Sequence, residues 1–288
     1  MNSSPPLLSG PCYPFADLDL ARRLERAEGH ASSRFVQARM RIEPDTGAAC
    51  AELAGAYVMF DGPESPLTQT FALGLSGAVL PEQLDEIETF FSGRGATIFH
   101  EVCPLAESTL VAMLYARRYE PFEFTSVMYR PLDKGAAPEP IVAPGVTVRI
   151  AAGGDRERWA QTAAAGWEET PEVGPFMLKF ARIIAASDDG WPFLGELDGQ
   201  MVATGSLILN EGVALLAGAS TVVAGRRRGV QNALLAARLR HAADLGCDLA
   251  MMAAQPGSSS QRNAERNGFR IAYTRIKWRK PGELSEPA

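Results

Sequence analysis

Apolar residues recur along this chain at two spacings, helical and strand-like, and the two take turns from one end to the other. Leu20, Leu24 and Ala27 keep helical spacing through residues 17–28, with Asp17 or Asp19 to serve the N-terminal end and Gly29 as a stop. A second short helix fits residues 33–40. Residues 49–60 read as a strand turned at Asp61-Gly62-Pro63, and residues 67–75 alternate as another. Leu84, Ile87, Phe90 and Phe91 share one side of a helix over residues 81–91, entered through Pro81 and closed by Gly93. Residues 97–103 form a strand ended by Pro104. His100 and Glu101 within it face opposite sides, which argues against an acid-base pair and for structural or surface roles.

The same alternation resumes further on. Residues 146–150 read as strand, 155–166 and 176–186 as helices, and 193–197 with 201–209 as a hairpin turned at Asp198-Gly199. Asn210-Glu211-Gly212 turns into an apolar strand over residues 213–223. A helix over 233–245 follows, with Val230, Ala233, Leu234 and Ala237 at helical spacing, then Gly246, a buried strand over 247–254, and a short helix leading to Asn267-Gly268-Phe269.

One segment occurs twice. Phe124-Thr125-Ser126-Val127-Met128-Tyr129-Arg130 matches Tyr273-Thr274-Arg275-Ile276-Lys277-Trp278-Arg279 as aromatic, Thr, any, β-branched, any, aromatic, Arg, and each copy follows an arginine-rich helix end and an aromatic, Tyr119 or Phe269. Helix, glycine, strand and proline precede both in the same order, so the chain holds two copies of one unit. Pro131, Pro138, Pro140 and Pro144 among small residues mark the join. The expected division is 1–135, a linker at 136–145, and 146–288.

At 288 residues the chain is long for one domain and comfortable for two, and 46% hydrophobic with 22% charged residues suits a globular protein. A net charge of −6 argues against a broad nucleic-acid surface. Pro5, Pro6, Pro11 and Pro14 interrupt any signal-like run near the start, and no apolar stretch is long enough to span a bilayer, so the expectation is a cytoplasmic protein with no membrane partner. Cys12, Cys50, Cys103 and Cys247 are scattered, and only three histidines could join them, so no metal site is expected. Cys103 and Cys247 read as small core residues.

Candidate chemistry gathers at Arg226-Arg227-Arg228-Gly229-Val230-Gln231-Asn232, between the strand over 213–223 and the helix after it. A helix start offers unpaired N–H groups and the positive end of the helix dipole, which together favour an anion, most often a phosphate. This segment resembles the acyl-CoA binding core of the GNAT superfamily of N-acetyltransferases, whose pyrophosphate loop reads Arg or Gln, two residues, Gly, one residue, then Gly or Ala. Arg226 and Gly229 match, and Gln231 stands where the family has a small residue; its side chain must turn away or offer its amide to the phosphate. The order loop, helix, strand, helix, Gly-Phe, strand continues the resemblance over roughly 65 residues.

The resemblance implies an α/β (α+β) fold of two tandem GNAT-like domains, each a mixed, mostly antiparallel twisted sheet flanked by helices. It implies an acetyl-CoA site built from Thr221, Val222 and Val223, whose main chain would bind the pantetheine arm, from the loop Arg226, Arg227, Arg228, Gly229, Val230, Gln231 and Asn232, and from Ser258 and Asn263. The first copy has no arginine in its corresponding turn, residues 74–81, and so reads as a degenerate unit that packs on the second or walls the substrate site. The loop with Trp167, Glu168, Glu169 and Glu172 corresponds to the helix-loop-helix that covers the acceptor in GNAT enzymes. The family's usual base, a Glu on the strand before the loop, is absent; Glu211 is the nearest carboxylate to that strand. Its usual acid, a Tyr five residues before the Phe of Gly-Phe, is Ala264 here, and Tyr273 on the next strand is the substitute. The expected activity is acetyl transfer from acetyl-CoA to a small amine. Its rivals are a protein N-acetyltransferase and a non-catalytic acyl-CoA sensor. A homodimer is left open.

Overall fold

The computed structural model describes residues 12–133, 141, 143–167, 174–187 and 190–281. The first part of the chain forms α1 (Leu18–Ile42), β1 (Ala49–Leu53), β2 (Ala56–Phe60), β3 (Gln69–Phe71), α2 (Pro81–Ser92), β4 (Ile98–Val102), α3 (Ser108–Ala116) and β5 (Glu120–Pro131). The second part forms β6 (Val146–Ile150), α4 (Arg156–Ala165), α5 (Gly174–Ala186), β7 (Trp191–Leu197), β8 (Gln200–Asn210), β9 (Val213–Thr221), α6 (Val230–Asp244), β10 (Leu249–Ala254), α7 (Ser259–Arg266) and β11 (Arg270–Lys280).

All these strands join one sheet in the order β1-β2-β3-β4-β11-β5-β10-β9-β8-β7-β6, antiparallel except at β3–β4 and β9–β10. The repeated segments lie side by side at its centre. Phe124 faces Ile276 and Val127 faces Tyr273, so exchanging the two repeats maps each pair onto the other, as a local twofold axis requires. Each repeat is lodged in the other copy's sheet: β11 lies between β4 and β5, and β5 lies between β10 and β11. Side chains alternate between faces along each strand. Helices α2, α3, α6 and α7 cover one face and α1, α4 and α5 the other.

Helix α1 is continuous through Gly29, which the sequence marks as a stop. Gly29 serves close approach: a Cβ there would lie 2.5 Å from the Tyr57 ring, so its absence lets the helix settle on β2 and β3. The helix then runs to Ile42, absorbing the expected second helix, and its far end stacks Phe35 on Phe180 of α5 at 4.6 Å. The single strand expected over residues 49–60 is a hairpin, folded at Ala54 and Gly55, both with positive φ. Of the run 67–75 only Gln69–Phe71 is strand, because Ala72 turns the chain at φ 65°. His100 and Glu101 do face opposite ways. The imidazole bonds to Thr70 and Tyr119, and the carboxylate pairs with Arg275 and Lys277.

Candidate active site: a cleft at the β9–β10 junction

Strands β9 and β10 pair as far as Leu215 and Met251, and no pairing continues beyond. A cleft of about 630 Å³ lies at this junction, between β9, α6, the end of β10 and α7. On its other edge β9 pairs with β8, where the register shifts between Thr204 and Ser206 because Gly218 and Ala219 bulge. The loop 222–229 then leads into α6. Arg227 at φ 60° and Gly229 at φ 80° turn it, and no side chain among the described residues caps the helix, so the N–H groups of its first turn stay available to a ligand. Val230 is buried in the core and anchors this end.

The arginines have distinct roles. Arg226 folds back, donating to the carbonyls of Thr221 and Gly166, both at 3.3 Å, and so ties the loop to the end of α4. Arg227 lines the cleft and is exposed; Arg228 is exposed outside the lining. Gln231 turns its amide to the end of β9, donating to Ser220 O at 3.0 Å and to Thr221 Oγ1. Thr221, Gly229, Val230, Asn232 and Asn263 line the cleft, whereas Val222 spends its N–H on Val202 O at 3.0 Å. Ser258 serves as the N-cap of α7, accepting from the Gln261 N–H at 3.1 Å. Its neighbours Ser259 and Ser260 reach the cleft, as do Arg266 and Arg238, which the sequence reading missed. For Ser259, Ser260 and Arg266, the lining face of α7 was a usable signal.

The two expected catalytic residues are elsewhere. Glu211 is exposed in the β8–β9 turn, at the opposite end of β9 from the loop, roughly 25 Å away at the rise of an extended strand. Tyr273 is buried on the α1 face and donates to Glu25 Oε1 at 2.9 Å. Burial first, then the Glu25 carboxylate, push its pKa well above the usual phenol value, so it holds its proton. Arg275 beside it meets Glu25 at 3.2 Å, Glu28 at 2.9 Å and Glu101 at 2.8 Å, a buried cluster joining β11 to α1 and β4. Burial raises Glu25 to about 7 against the pull of Arg275. Trp167 follows α4 with an exposed indole; Glu168, Glu169 and Glu172 lie outside the described residues.

No protein-family model and no curated protein matches the sequence. Solved structures do match the fold. A GCN5-related N-acetyltransferase from Kribbella flavida superposes with a TM-score of 0.62 at 20% identity, covering 88% of this chain and 95% of that one. Another from Sphaerobacter thermophilus gives 0.56 at 16%, covering 93% of each. A tandem GNAT protein from the clavulanic acid biosynthesis pathway gives 0.57 at 13%, covering 94% of this chain and 98% of its own. The chain has the tandem GNAT fold.

Proposed function

We propose that the protein is an acyl-CoA-dependent N-acetyltransferase that moves the acetyl group of acetyl-CoA to an amine of a small molecule by direct attack. The observation that carries this reading is the cleft lining: Arg226, Arg227 and Arg266 near the helix start, apart from the buried Arg238, with no carboxylate among the described residues, in a protein of net charge −6. Such a lining suits a polyanion. The uncapped start of α6 and the cations of Arg226 and Arg227 would hold the pyrophosphate, with Asn232, Ser259, Ser260, Asn263 and Arg266 around it. The edges of β9 and β10 beyond their last pair would flank the pantetheine arm. When bound, acetyl-CoA supplies the acetyl group as a thioester.

The opposite face of the sheet is the acceptor side in this reading. There α1 of the first copy packs with α4 and α5 over β8 and β9, which favours a small acceptor over a polypeptide laid in an open groove. An alkylammonium with a pKa near 10 is free amine in about one molecule in a thousand at pH 7, so the acceptor must lose a proton to attack. In this reading residues 1–135 and 146–288, joined by 136–145, are two copies of one unit with exchanged last strands, and only the second binds CoA.

A second reading, an acyl-CoA sensor without catalysis, is favoured by a cleft with no carboxylate among its described lining residues. Calorimetric titration with acetyl-CoA, followed by CoA-thiol release with and without a panel of amines, separates the two. Binding with amine-dependent release is expected; binding with no such release leaves the sensor, and no binding rejects both. Reversing charge at the exposed Arg227 and Arg266 should weaken acetyl-CoA by about 1.5–3 kcal/mol for each guanidinium–phosphate bond removed, with the thermal transition unchanged.

A further inference from the structure

Three arginines are buried in the described structure, and two have carboxylates beside them. Arg39 meets Asp61 at 2.8 Å and Glu43 at 2.6 Å, and Arg275 meets Glu25, Glu28 and Glu101. Arg238 differs. It is 3% exposed, yet its guanidinium donates only to carbonyls: Nε to Leu234 O at 3.4 Å, and Nη1 to Ser206 O at 3.1 Å and Ala217 O at 3.4 Å. Among the described residues nothing accepts from Nη2 and no carboxylate is near. Burial lowers its pKa only to about 10, so it remains charged at neutral pH. An isolated buried cation is costly, and an apolar side chain of similar volume would fill the place without that cost.

The seat is built for it. A Cβ on Gly205 would lie 2.9 Å from the Arg238 Cζ, so the guanidinium rests on β8 only because that residue has no side chain. On the other side, the bulge of β9 follows directly after Ala217, whose carbonyl the guanidinium contacts. Arg238 lines the cleft two turns beyond Val230, about 12 Å along α6 from the helix start. The uncapped helix start and Arg227 answer the phosphates at one end of the cleft, so the charge that Arg238 lacks must arise at the other end.

We infer that Arg238 is a catalytic residue whose guanidinium receives the negative charge on the CoA sulfur as the acetyl group departs, an inference that rests on the acetyl-transfer reading. In that step the amine nitrogen bonds to the acetyl carbon and the carbon–sulfur bond breaks. Both electrons of that bond leave on sulfur, and the surplus proton on nitrogen passes to water. Arg238 stays protonated throughout and supplies charge rather than a proton.

The test reads the thiol of bound CoA directly, by thiolate ultraviolet absorbance as pH is raised, in the wild type, Arg238→Met and Arg238→Lys. The wild type should lower the bound thiol's pKa by about 1–3 units from its value in free CoA, Arg238→Met should restore the free value, and Arg238→Lys should fall between them. CoA affinity at pH 6, where the thiol is neutral, should change by less than about threefold, while kcat for any accepted amine falls at least about tenfold in Arg238→Met. If Arg238→Met does not fold, Gly205→Ala, which crowds the guanidinium out of its seat, gives the same readout. A wild type that does not bind CoA overturns the acetyl-transfer reading and this inference together. CoA bound with one thiol pKa in wild type and variant alike overturns the inference and leaves that reading standing.

Discussion

The parallel pairs β3–β4 and β9–β10 hold matching places on either side of the central strands, and they end differently. At β9–β10 the divergence leaves a cleft with arginines at its mouth. At β3–β4 pairing is reduced to Thr70 opposite His100, and protein fills the gap. Leu110 and Leu114 of α3 pack there with Leu73 and Val79, all buried, and the Glu107 N–H donates to Gly74 O at 3.0 Å. Thr70 Oγ1 bonds His100 Nδ1 at 2.8 Å, and at the start of α2 the Leu80 N–H donates to Gln83 Oε1 at 2.9 Å while Pro81 has no N–H to offer. A diverging parallel pair therefore makes a space, and residues outside the strands decide whether it is core or site. Leucines, with a helix entered through Pro81, make it core. Arginines beside a helix start with free N–H groups make it a place for an anion.

The largest test removes the closed junction altogether. A fragment of residues 144–288 loses β5, which separates β10 from β11 in the sheet, so both strands keep an unpaired edge and the apolar surface under α1 is exposed. It should be aggregation-prone in size-exclusion chromatography and lack a cooperative thermal transition. A soluble fragment that binds acetyl-CoA as the full chain does would show the two junctions to be independent.

Opening the closed junction from within is the next test. Leu110 is fully buried, and Leu110→Ala should destabilise the protein by about 2–5 kcal/mol in denaturant unfolding. Acetyl-CoA affinity should not change, because the cleft lies on the other side of the central strands. A fall in affinity larger than the fall in folded protein would couple the two sites.

The effect that is smallest at neutral pH, and grows only in acid, is a pH dependence at His100. Burial holds its pKa near 3 against 6.5 for an ordinary histidine, so the unfolded chain takes up the proton first. The stability this gives is complete above pH 6.5 and is lost as pH falls towards 3, by about 1.4 kcal/mol per unit. Glu25, raised to about 7, acts the other way: the folded state holds its proton and stability falls as pH rises from about 4.5 to 7. The difference between wild type and His100→Gln isolates the histidine, and the variant should show the shallower acid limb. Equal slopes in the two would remove His100 from the account.

Local pattern alone determined much of this. Helical and alternating periods place α2, α4, α6, β7, β8 and β9 close to where they lie, because each buries one face and the spacing records it. The arginines and glycine at a strand-to-helix turn mark the mouth of the cleft, and the repeat announces the internal symmetry. The tertiary structure decided the rest. Gly29 reads as a helix stop until Tyr57 and Phe71 are seen beside it. The exchange of β5 and β11 leaves no local trace, since a strand's pattern records that it is buried and not by which neighbours. Glu211 and Tyr273 are near the family's catalytic positions only along the chain, whereas an extended strand carries one end roughly 25 Å from the other and alternate residues to opposite faces. Arg238 looks like any solvated arginine on a helix until the fold lays it over Gly205, away from every carboxylate of the described residues. Whether a charge is paired depends on distance in space, and only folding sets that distance.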